Sequence, residues 1–132
     1  VETLEPEDEI QVRNVLAAID TVVAEAGEDF TYQGRVEFGS CLYVRNGRAD
    51  CLAGRVLAKL GMSLEDLVRW EGMPCDAMSA NPLAPSKPQA PVGLYALATL
   101  RAAQVRQDRG ESWSAARDAA RRWAKDCYGI EV

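Results

Sequence analysis

The sequence predicts a mainly helical α+β fold, and three observations carry that expectation. Apolar residues recur at helical spacing between recognisable start and stop signals along most of the chain. One interval, residues 28–49, changes to β-formers and carries Asn46-Gly47, the strongest short hairpin signal. The chain has 132 residues and 48% hydrophobic content, room for one core and little more. We therefore expect about five helices and a small antiparallel β-ribbon packed on the first and second of them. All of it lies in one domain spanning residues 1–132.

The first helix is the clearest element. Val12, Val15, Leu16, Ile19, Val22, Val23 and Ala26 form one stripe at i, i+3, i+4, i+7 spacing. Pro6 is tolerated in a first turn, and Glu7, Asp8 and Glu9 face the positive end of the helix dipole. Gly27 closes the helix, which spans about residues 6–26. The ribbon then pairs Leu42 to Arg45 with Arg48 and Ala49, with a third strand expected near Tyr32 or Val36. Asp50 is the expected N-cap of a second helix, Cys51 to Leu60. Gly54 inside that helix costs about 1 kcal/mol relative to alanine, which a close backbone contact with the ribbon would justify. Ser63 caps a third helix, Leu64 to Glu71, with Asp66 completing a capping box.

Residues 72–91 carry Pro74, Pro82, Pro85, Pro88 and Pro91, which exclude a regular helix. The stretch is a packed connector or a mobile functional loop, and we favour the connector. A fourth helix, about Val92 to Asp108, presents Leu94, Leu97, Ala98, Leu100 and Val105. Gly110 closes it, and Ser112 caps a fifth helix that runs to about Tyr128. Trp113, Ala116, Ala120, Trp123 and Cys127 share one face of that helix. The short turn makes the last two helices an antiparallel hairpin.

Composition narrows the chemistry. There is no histidine, which removes the usual general base and the commonest metal ligand. No apolar run reaches the ~20 residues needed to span a bilayer, and no secretory signal is visible, so a cytoplasmic setting is expected. Residues 1–30 hold nine acids against Arg13 alone, whereas residues 101–132 hold seven bases and five acids. This polarity could orient a partner. Cys41, Cys51, Cys75 and Cys127 lack C-x2-C spacing, so small buried hydrophobes are expected rather than a zinc site or disulfides. Cys51, at a helix start, is the one nucleophile worth entertaining, but nothing beside it in sequence would activate it. Nucleotide-binding and hydrolase motifs are absent. No cofactor, metal or catalytic residue is expected, and the protein reads as no enzyme.

Two resemblances follow from particular residues. The stretch Val56 to Glu71 resembles the helix-turn-helix of bacterial repressors, with Gly61 in the turn and Met62 and Leu67 buried. That likeness implies DNA contacts from Ser63 and Arg69. Against it stand Leu57 where close helix crossing wants alanine, Glu65 and Asp66 facing the phosphates, and a net charge of −5. Nucleic acid is therefore not the expected partner. The second likeness covers more of the chain. Cys41-Leu42-Tyr43-Val44, Asn46-Gly47, Cys51-Leu52-Ala53-Gly54 with Leu57 and Leu60-Gly61, and the run Ala103 to Trp113 resemble a pattern in small uncharacterised proteins of actinobacteria and their phages. It implies a short accessory protein and brings no catalytic residues. Arginine outnumbers lysine twelve to three and there are 20 alanines, a bias that fits such GC-rich genomes.

The leading expectation is thus a non-enzymatic accessory protein that binds another protein, such as a host factor. Trp70, Met73, Met78 and Leu83 are its candidate contacts, because exposed aromatic and methionine side chains adapt to partners. The same residues could instead wrap over the core. The alternatives are a DNA-binding regulator using residues 50–71, or a small-molecule binder with a pocket lined by Tyr43, Arg45, Arg48 and Arg55.

Overall fold

A computed structural model describes residues 1–34, 41–79 and 87–132. The element order is α1 (Pro6–Ala26), β1 (Val44–Arg45), β2 (Arg48–Ala49), α2 (Leu52–Lys59), α3 (Leu64–Val68), a 3-10 turn (Cys75–Met78), α4 (Leu94–Asp108) and α5 (Trp113–Tyr128). The architecture is α+β and mainly α, as the sequence predicts. Helix α1 buries its expected stripe, with Val12, Val15, Ile19, Val22 and Val23 fully covered. It packs on α2, α4 and α5. The α4–α5 hairpin is the largest helix pairing of the fold. No helix among the described residues is long and apolar enough to cross a membrane.

The ribbon forms where Asn46-Gly47 places it. Both residues have positive φ, 55° and 73°, as a two-residue hairpin turn requires. Val44 pairs with Ala49 and Arg45 with Arg48. The ribbon rests on α2 through β2 and on α3 through β1. Gly54 explains itself here: a Cβ at that position would lie 2.4 Å from the carbonyl oxygen of Tyr43. Tyr32 is not in a strand; its hydroxyl donates to the Asp50 carboxylate at 2.7 Å and so ties the preceding segment to the ribbon base. Val36 lies outside the described residues.

Several expected boundaries shift for physical reasons. Cys51, not Asp50, is the N-cap of α2, its sulfur accepting from the Gly54 amide. The Asp50 carboxylate is engaged by Tyr32 and by Arg45 at 3.2 Å. Helix α3 ends at Val68 rather than Glu71. Beyond it the amides of Trp70, Glu71 and Met73 bond three residues back, a tightening that turns Trp70 inward. Its indole donates to the Pro88 carbonyl at 2.8 Å. At the described ends of the proline-rich segment, Cys75 and Met78 are buried and the Pro88 carbonyl meets Trp70.

The cysteines correct the sequence expectation. Cys41 and Cys51 are paired as a disulfide, both fully buried, with Cα atoms 6.1 Å apart. The hairpin doubles the chain back, and beyond the ladder the Cys51 amide still reaches the Leu42 carbonyl at 3.2 Å. That register carries the two sulfurs to the same place. Cys75 is buried and Cys127 partly exposed, both as free thiols. A cross-link closing a ten-residue separation restrains the unfolded chain by about 3 kcal/mol. We expect reduction by dithiothreitol, or the double substitution Cys41→Ser with Cys51→Ser, to lower the melting temperature by about 10 °C. Thermal unfolding with and without reductant checks this; superimposable curves for the wild type would contradict it.

Candidate functional site

Two of the four expected contact residues are interior. Trp70 is 2% exposed and Met78 3%, and Met73 is partly buried against the core. The exposure that suggested them as partner contacts is therefore missing for Trp70 and Met78. Trp70 instead clamps the connector, with the Lys87 ammonium over its ring at 5.4 Å. Leu83 lies outside the described residues. Of the four residues expected around a small-molecule pocket, Arg45 and Arg55 both engage Asp50, through its carboxylate and its carbonyl. The Tyr43 hydroxyl is buried and donates to the Met73 carbonyl at 2.6 Å. Arg55 lies over the Trp113 ring at 4.9 Å and donates to the Asp50 carbonyl. Arg45 is on Asp50, and Arg48 is at the ribbon turn. For DNA, Ser63 spends its hydroxyl capping α3. That helix has five residues and begins with Glu65 and Asp66, a short and acidic element to lay in a major groove.

Sequence reasoning missed a buried polar hub on α4. Gln104 and Gln107 are 0% and 1% exposed. The Gln104 amide nitrogen donates to the Tyr43 hydroxyl at 3.2 Å and contacts the Cys41 sulfur, while its oxygen accepts from the Cys75 amide at 3.0 Å. The Gln107 oxygen accepts the first amide of α2, from Leu52, at 2.9 Å. Residues 41–61 and 103–113 thus meet at these glutamines. The hub is sealed from solvent, so it positions elements rather than meeting ligands. Cys75, beneath it, has its thiol pushed far up by burial and is no nucleophile in this state. Cys51 is tied up in its disulfide.

Asp108 flanks the hub. Desolvation pushes its carboxyl up to about 6, against the pull of Arg101, the Gln107 amide and the Cys41 backbone. The folded chain then holds this proton more tightly than the unfolded chain, whose carboxyl titrates near 3.8. The stability it adds is complete below about pH 4 and is lost as pH rises through about 6. Asp108→Asn should flatten the fall in melting temperature between pH 4 and pH 7. A slope equal to that of the wild type would show that Asp108 is not its source.

Among the described residues, an exposed feature with the chemistry of a binding surface is a groove between α4 and α5. Its volume is about 470 Å³. Ala102 and Val105 of α4 and Ala119, Trp123 and Cys127 of α5 line it, with Arg106, Arg109, Arg122 and Asp126 among its walls. The spacing explains the site: 102, 105, 106 and 109 share one side of α4, and 119, 122, 123 and 126 share one side of α5. Trp123 is 41% exposed, which corrects its expected place on the inward face. Ala124 takes the inward position after Trp113, Ala116 and Ala120. From Ala120 a step of three or of four is equally helical, and the structure takes the step of four. The opposite side of the hairpin is covered by α1 and the segment after it, through Arg121–Asp20 and Arg117–Glu28 pairs, both at 2.7 Å.

The chain matches no protein-family model, no curated protein and no solved structure.

Proposed function

We propose that this chain is a non-enzymatic accessory protein, of an actinobacterium or one of its phages, that acts by binding another protein through the α4–α5 groove. The observation that carries the reading is Trp123. The other two tryptophans, Trp70 and Trp113, are buried at 2% and 0% exposure, whereas Trp123 stands at 41% in an apolar groove walled by arginines. Tryptophan and arginine dominate the energetics of protein interfaces, and an exposed ring costs little to order. The arginine and alanine bias of the sequence supports the source. The Cys41–Cys51 pairing favours an oxidising compartment, where the sequence leads us to expect the cytoplasm.

Affinity capture from an actinobacterial lysate tests the reading when three baits are run together. The wild type and Val68→Ala, altered at an exposed residue of α3, should retain the same partner. Trp123→Ala should lose it at least tenfold, consistent with about 2 kcal/mol for an anchoring tryptophan. Because Trp123 is partly covered and its indole donates to the Tyr128 hydroxyl at 3.4 Å, thermal unfolding of each bait establishes that it is folded at the capture temperature. A partner retained equally by all three baits would show that the groove is not the docking face.

A further inference from the structure

Resting on that protein-binding reading, we propose that the occupant of the α4–α5 groove is an acidic amphipathic helix of the partner. The hairpin already displays this mode of binding on its other side. There it packs α1, a 21-residue helix with a buried aliphatic stripe. Two acids of that helix and the segment after it, Asp20 and Glu28, bridge Arg121 and Arg117 of α5. The groove repeats the same elements for a second helix. Ala102 and Ala119 keep its floor low, so a helix backbone can approach closely. Val105 and Trp123 offer apolar anchorage, and Arg109 and Arg122 stand against a single acid, Asp126, in its lining, while Arg106 is paired with Glu111 at 3.4 Å. A second copy of this chain could not serve through α1, whose apolar stripe is already buried. An elongated surface between two parallel-sided helices suits a third helix laid alongside. Arg109 and Arg122 call for carboxylates at its flanks.

Selection from a helix-constrained peptide display library on the immobilised full chain tests this. Selected peptides should place Leu, Ile or Phe at i, i+3/i+4 and i+7, with Asp or Glu flanking that stripe. Their binding should fall at least tenfold in Trp123→Ala and at least tenfold in the double variant Arg109→Glu with Arg122→Glu, each measured at a temperature where the variant is folded. It should also weaken as salt is raised. Peptides that depend on Trp123 but carry neutral or basic flanks would overturn the acidic helix while leaving the groove as a protein-binding face. A selection yielding nothing that depends on Trp123 would overturn both. Tighter association with phosphatidylglycerol vesicles or a random DNA duplex than with any selected peptide would also overturn it.

Discussion

Replacing Gly54 with alanine is expected to destabilise the protein by about 2–3 kcal/mol and to lower its melting temperature by about 10 °C. In an ordinary helix interior the same change stabilises by about 1 kcal/mol, so the sign of the effect tests the packing. The added methyl would lie 2.4 Å from the Tyr43 carbonyl oxygen and 3.0 Å from its Cα. Backbone cannot swing aside as a side-chain tip can. That carbonyl also accepts the Asp50 amide at 2.8 Å. The Val44 amide one residue on is held by the Glu71 carboxylate at 3.0 Å, and Cys41 is bonded to Cys51. A shift of the ribbon would disturb all three attachments. Thermal unfolding of Gly54→Ala checks the claim, and an unchanged or raised melting temperature would mean that α2 and the ribbon do not approach as described.

The second large effect is expected at Gln104. Gln104→Leu keeps the volume and removes both ends of the amide. The buried Cys75 amide then loses its acceptor, and the Tyr43 hydroxyl loses a donor. An orphaned buried backbone N–H costs about 1–3 kcal/mol, and the second lost bond about 1 kcal/mol more. The sum, about 3 kcal/mol, is far beyond what Val105→Ala should cost one residue along, where the side chain faces the groove. Denaturant unfolding of the two variants gives the comparison. A Gln104→Leu midpoint matching that of Val105→Ala would show that the hub carries no such energy.

These residues also show how far sequence alone reaches. Helix α1, the Asn46-Gly47 turn, the caps at Ser63 and Ser112 and the tight contact at Gly54 are all legible, because each is governed by local periodicity or backbone geometry. Three features were not. The buried face of α4 includes Thr99, Gln104 and Gln107, polar residues that an apolar-stripe search assigns to the surface. Their partners, Cys75, Tyr43 and Leu52, are remote in sequence. The Cys41–Cys51 pair depends on ribbon register continuing past the ladder, which the hairpin signal hints at but does not fix. The groove depends on whether Trp123 or Ala124 turns inward, and helical period admits both. Burial of Trp70 has a related cause: the chain leaves α-helical geometry after Val68, so extending the third helix to Glu71 assigned that side chain the wrong direction.

The central claim is that this protein works by contact through the α4–α5 groove. A photo-cross-linking amino acid placed at position 123, compared with one at position 68, tests it most directly in the living cell. The account predicts a discrete adduct to another protein from position 123, abolished by Arg109→Glu with Arg122→Glu, and none from position 68. An adduct from position 68 alone, or equal labelling from both positions, would contradict it.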